Sequence, residues 1–207
     1  AGRGRALVNL IDLAEGEQVR TMLTVSEVDD PNLFIIMATR HGIVKKSALQ
    51  VFKHLRRRPI NAIVLDEGDD LVGAALTDGN QQIILSSAAG MACRFLESDV
   101  RAQGRVTRGV RGMELRDSKG KLSSEIVSMS VVDPDADLLV ISARGMGKLT
   151  HLGTGIATED SNIVGGYRLT HRGGKGVISI RLKDNDRVVA ALQVLDAEEL
   201  IMMSVRG

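Results

Sequence analysis

Apolar residues along this chain recur in short blocks and not at helical spacing. The blocks are Gln18–Leu23, Leu33–Ala38, Ile43–Lys46, Leu71–Leu76, Gln81–Ser86, Met91–Phe95, Glu125–Val131, Leu138–Ser142, Val177–Leu182, Arg187–Val194 and Leu200–Val205. Most are rich in Val and Ile and bounded by Gly, Asp or Asn. β-Branched residues pack well on a pleated surface and the bounding residues mark turns, so each block predicts a strand. Two of them, Phe34–Met37 and Ile83–Leu85, are continuous apolar runs, the pattern of a strand buried on both faces. The segments 47–54 and 96–101 predict single helical turns. Many short strands with regular turns predict an all-β protein, whether sandwich, barrel or propeller.

An internal repeat narrows that choice. Four segments open alike, with an apolar stretch running into an acidic or glycine turn: Leu7–Gly16 (LVNLIDLAEG), Pro59–Gly68 (PINAIVLDEG), Val110–Gly120 (VRGMELRDSKG) and Gly176–Asp186 (GVISIRLKDND). Their leucines Leu13, Leu65, Leu115 and Leu182 lie 52, 50 and 67 residues apart. A second landmark follows in each unit, a strand, a turn ending in Gly, then a short strand. It reads IIMATRHGIVKKS at Ile35–Ser47, IILSSAAGMACRF at Ile83–Phe95 and LVISARGMGKLT at Leu139–Thr150, and a fourth begins at Ile201–Gly207. The repeat predicts about four units, 1–54, 55–104, 105–169 and an incomplete 170–207, with an insertion near Gly153–Asn162. A period near 50 with several short strands per unit implies blades set radially about an axis. The last unit stops where a strand should start, so the chain reads as part of a longer polypeptide.

Composition restricts the chemistry. The 207 residues hold 27 Lys+Arg against 26 Asp+Glu, which excludes a surface of one sign but allows a local basic patch. The single cysteine, Cys93, cannot form an intramolecular disulfide, and it sits in an apolar strand as a small hydrophobe would. The histidines at 41, 54, 151 and 171 have no metal-ligand spacing, and His54 and His151 read as surface residues. Pro134 and Arg144 argue against a calcium loop at Asp133, Asp135 and Asp137. Tyr167, the one tyrosine, has no base or carboxylate cluster beside it in sequence. No apolar run approaches the length of a membrane span, so a soluble, cytoplasmic, cofactor-free, non-enzymatic domain is the expectation.

The basic residues recur at equivalent places. Lys45, Lys46, Arg57, Arg94 and Lys148 follow the hairpin glycine, whereas Arg108, Arg111, Arg172 and Lys175 lie in links between units. Radial blades would set both groups along one rim, a belt suited to phosphate contacts that do not read sequence. A plain solvated surface fits the same Lys and Arg runs; with so few aromatics, stacking of single strands is disfavoured, and duplex DNA is the expected form if nucleic acid binds. The densest motif is Thr170-His171-Arg172-Gly173-Gly174-Lys175-Gly176. It is not a P-loop, since Gly176 stands where Ser or Thr is needed and Leu169 where the first Gly is needed. A phosphate-binding turn and a plain glycine turn before a strand both fit it.

Through Gly104–Leu115 (GRVTRGVRGMEL), Gly42–Ser47, Gly147–Thr150 and Gly176–Leu182 (GVISIRL), the whole chain resembles the C-terminal domain of the DNA gyrase A subunit. The resemblance implies an all-β pinwheel of six four-stranded blades, about four of them present here, with outer strands exchanged between neighbours. It implies duplex DNA wrapped on the basic rim in support of ATP-dependent negative supercoiling. The remainder of the A subunit, together with the gyrase B subunit, would be partners in a heterotetramer. ATP and magnesium would serve that holoenzyme, with the catalytic tyrosine elsewhere and the isolated domain a monomer. A bacterial, nucleoid-associated, cytoplasmic location follows. The family's signature reads Gln-Arg-Arg-Gly-Gly-Lys-Gly, and 170–176 matches its last five positions in what corresponds to a later, more degenerate turn. The substrate-selecting C-terminal domain of the topoisomerase IV A subunit is an alternative, as is a propeller that binds protein and not DNA.

Overall fold

The computed structural model describes residues 19–53, 61–157 and 166–201. Within them the strands are β1 (Phe34–Thr39), β2 (Ile43–Ala48), β3 (Leu71–Thr77), β4 (Gln82–Ser87), β5 (Met91–Leu96), β6 (Val110–Arg111), β7 (Ile126–Val131), β8 (Asp137–Ser142), β9 (Gly147–His151), β10 (Val177–Ile178) and β11 (Val188–Val194). The described residues are all-β, apart from 3-10 turns at Leu49–Phe52 and Glu97–Asp99, within the two segments that predict helical turns.

Every pairing within these sheets is antiparallel. The first sheet runs β3-β1-β2-β6, the second β7-β4-β5-β10, and the third β11-β8-β9. Each is built on a tight hairpin, with Ile36 opposite Lys46, Ile84 opposite Arg94 and Leu139 opposite Leu149 at equivalent places. A later strand then joins the hairpin on one side: β3, β7 or β11. The other edge of the first two sheets takes a two-residue strand from much further along, β6 against β2 and β10 against β5. These two strands thus reach back to the sheet of an earlier hairpin. The strands consequently do not segregate at the unit boundaries 54, 104 and 169, because the first sheet draws on three of the four units.

Apolar alternation stacks the sheets face to face. In β4, Ile83 and Leu85 join Ile36, Val44, Cys93 and Phe95 in a core between the first and second sheets. Ile84, between them in sequence, points the other way and joins Ala92, Leu138, Val140 and Val188 in a core between the second and third. The continuous run 83–85 is therefore apolar because the second sheet has a neighbour on each side. Strand β7 touches both β3 and β11, so these three strands converge at one edge of the stack. Strands β6 and β10 lie at the opposite edge of their sheets.

Some expectations are corrected. Residues 19–23 form no strand, and Val177–Leu182 shortens to Val177–Ile178, because the chain then turns away to bond with Gly90. The repeat's opening segments contribute little sheet: 61–68 has none, and Val110–Gly120 supplies only β6 and an isolated bridge at Arg116. From the block Leu200–Val205, Leu200 and Ile201 lie outside any strand and the remainder lies outside the described residues.

Candidate nucleic-acid interface

Two turns occupy equivalent places at the outer edge. The amide of Gln103 donates to Lys46 O and that of Thr170 to Arg94 O, each at the start of its turn. At the far end, Val110 pairs with Val44 and Val177 with Ala92. Gln103-Gly104-Arg105-Val106-Thr107-Arg108-Gly109 and Thr170-His171-Arg172-Gly173-Gly174-Lys175-Gly176 are therefore structural counterparts. Only the second stands out in the sequence. The signal for the first is the Gly-Val pair at 109–110, repeated at 176–177.

The closing glycine of each turn is required by contact. A Cβ on Gly109 would stand 2.5 Å from Val44 O, and one on Gly176 only 2.2 Å from Ala92 O. Both residues also have positive φ, 96° and 77°. Their lack of a side chain lets each turn lie directly on the outer strand of its hairpin. The segment between the turns ties them together: Gly173 N donates to Gly112 O, Glu114 N to Gly174 O, and Arg172 Nη1 to Arg111 O.

Along this ridge Arg105, Arg108, Arg111 and Lys175 are exposed, and Arg172 is half-buried with its Nε on Asp99 O. Two acids compete for them, and a third pairs with the neighbouring His171. Asp66 Oδ1 lies 2.8 Å from Arg108, Glu114 accepts from Arg111, and Asp99 Oδ2 lies 3.2 Å from His171 Nδ1. Exposed ion pairs of this kind are worth at most about 1 kcal/mol, so a phosphate can replace the carboxylate. Lys148 is exposed on β9, its Nζ donating to Ser179 O just past the second turn.

The basic residues after the hairpin glycine are corrected as surface contacts in three cases. Lys45 is fully buried, and its Nζ donates to the carbonyls of Ala62, Arg105 and Thr107. Lys46 is buried under Phe34, with its Nζ on Glu97 O. Arg94 is 2% exposed, its guanidinium spent on Gln82 Oε1 and on the carbonyls of Leu152, Gly153 and Tyr167. Desolvation lowers the pKa of Lys45, and it lowers that of Arg94 to about 10. Lys46 lies beside the Glu97 carboxylate, 3.8 Å away, whereas Lys45 and Arg94 share another reason. Links between sheets leave carbonyls outside any ladder, and a many-donor cation satisfies several at once. None of the three can reach a phosphate from there. Arg57 and His54 lie outside the described residues.

The remaining candidates fall into the scaffold. Cys93 is buried in the first core, where burial raises its thiol pKa. Tyr167 is 1% exposed, with its hydroxyl 2.6 Å from Ser179 Oγ. His151, by contrast, is exposed, beside Asp137. Among the described residues no helix is long and apolar enough to cross a membrane.

A model of the family described as "DNA gyrase C-terminal domain, beta-propeller" matches residues 34–78, 81–133, 136–154 and 164–194. The chain belongs to this family. Over 99% of its length it is 34% identical to the DNA gyrase A subunit of Haloquadratum walsbyi and 37% identical to that of Escherichia coli. It spans 23% and 22% of those proteins. A solved structure described as the C-terminal domain of DNA topoisomerase IV is 28% identical and superposes with a TM-score of 0.79, covering 94% of this chain and 56% of that one.

Proposed function

We propose that this chain binds duplex DNA on the outer ridge of its sheets, without reading sequence, and bends it around that edge. The observation that carries the reading is the pair of equivalent turns, 103–109 and 170–176, joined through 110–114 and presenting Arg105, Arg108, Arg111, Arg172 and Lys175 on one side. Lys148 extends the line beyond the second turn. Cationic side chains at intervals along an edge suit a backbone contact, in which charge neutralisation and counterion release supply affinity. Bending costs a few kcal/mol, offset by the contacts the bend permits.

Within the full-length gyrase polypeptide this domain would present a wrapped duplex to the DNA gate and so support ATP-dependent negative supercoiling. The remainder of that polypeptide would supply the catalytic tyrosine, and the B subunit would supply the ATP and magnesium chemistry, in the bacterial cytoplasm. The topoisomerase IV likeness favours a second reading, in which the same ridge selects DNA without wrapping it.

The test is binding of the chain to a duplex of about 150 base pairs, one persistence length, across a salt series. A relaxed circle is ligated in the presence of the same sample. Affinity that falls steeply with salt and a shift in linking number are expected. Binding without a shift supports the selection reading, and no binding at low salt overturns both.

A further inference from the structure

The two turns rest on different supports. Lys45, Cys93 and Lys148 occupy equivalent positions in their hairpins, opposite Met37, Leu85 and Val140. Beneath the first turn stands the Lys45 ammonium, 2.6 Å from Arg105 O and 3.3 Å from Thr107 O. No carboxylate bonds it among the described residues; its other acceptor is Ala62 O. Beneath the second turn stands the Cys93 thiol, a weak donor 3.9 Å from His171 O. That turn is held instead by main-chain bonds to Gly112 and Glu114.

We propose that Lys45 is a positioning residue for DNA binding, its buried ammonium drawing the carbonyls of Arg105 and Thr107 inward so that Arg105 and Arg108 face outward as a phosphate-binding pair. The inference rests on the DNA reading above. The geometry supports it at three points. Arg105 and Thr107 alternate with Val106 and Arg108, so fixing two carbonyls fixes the course of the whole turn. Val106 is 76% exposed, which leaves the turn no apolar anchor of its own. Gly109 closes the turn so tightly that a Cβ there would lie 3.1 Å from Lys45 Cβ, placing the ammonium stem directly under it. A neutral side chain of equal length would fill the space but leave the carbonyls of Ala62 and Arg105 without a donor and Thr107 O with the Val64 amide alone.

The experiment is a mutant cycle on DNA affinity and its salt dependence, using the 207-residue chain. Arg105→Ala with Arg108→Ala should weaken binding about tenfold and lower the slope of log affinity against log salt by about two, as for two lost phosphate contacts. Lys45→Met should lose several-fold in affinity and part of that slope, and should lose nothing further when combined with the arginine pair. Against Arg172→Ala with Lys175→Ala its effect should persist unchanged. The Val64 amide, which donates to Thr107 O, should exchange faster in Lys45→Met while the β4 amides do not. Should Lys45→Met fail to fold, Lys45→Gln keeps the volume and a neutral donor, and the same non-additivity is expected at smaller size. A Lys45 effect that is undiminished without the arginine pair, or absent while that pair matters, overturns the proposal alone. If the arginine pair does not matter, the DNA reading of the first turn falls, and the proposal with it.

Discussion

At Arg94 a guanidinium inside a strand meets four acceptors and no carboxylate. Gly155 makes this possible, since a Cβ there would lie 2.8 Å from Arg94 Cζ. Removing the donors strands three buried carbonyls, so Arg94→Met should cost roughly 2–4 kcal/mol of stability, measured by urea unfolding. Because burial lowers the folded pKa to about 10, the unfolded chain holds this proton more tightly. The group's own contribution to stability therefore rises as pH climbs above about 10, and the difference between wild type and variant should stay flat from roughly pH 6 to 9. Lysine and arginine default to the surface in any reading of composition, which is why composition places Lys45, Lys46 and Arg94 on the rim. The sign against it is in the sequence: IVKKSA and MACRFL set the cations inside apolar blocks with no acid in register.

Among the elements, the hairpins are legible in the sequence and the short edge strands are not. Six-residue strands such as β1, β4 and β5 carry enough alternation, or enough unbroken apolar length, to declare themselves. Strands β6 and β10 are two residues each, too short for any period, and they pair with strands from hairpins far earlier in the chain. What fixes them is the glycine before them, and this separates two neighbouring glycines of one motif. Gly176→Ala drives a Cβ into the backbone of Ala92 at positive φ, and about 1–3 kcal/mol of stability should be lost, with faster amide exchange at β5. Gly174→Ala meets nothing closer than 3.9 Å and should be neutral within about 0.5 kcal/mol. Equal losses at both, read from thermal melting, would refute this account of the turn.

In the whole molecule, the second sheet has a core on each face and borrows an edge strand from the chain beyond the third hairpin. No sheet among the described residues is a free-standing unit, so urea unfolding should be one transition, coincident by circular dichroism and by amide exchange in β4 and β8. Separate transitions for the first and third sheets would contradict it. The stacked order of the sheets follows from the repeat, as does a common line for Arg108, Arg111, Arg172 and Lys175, while the hydrogen bonds that join 103–109 to 170–176 through 110–114 are legible only in space.

The borrowed strands also set an order of events during synthesis. The first sheet cannot be completed when its hairpin leaves the ribosome, since β6, at Val110–Arg111, is still to be made. At roughly 5–20 residues per second, the open edge of β2 waits for several seconds, and that of β5 for longer still. An unpaired edge is a template for any other strand. Lys45 and Lys46, placed on β2 itself, hold two positive charges on that edge through the interval. Charge at that edge is expected to disfavour strand pairing between nascent chains, so a chain with both lysines replaced by Met should aggregate more during cell-free synthesis.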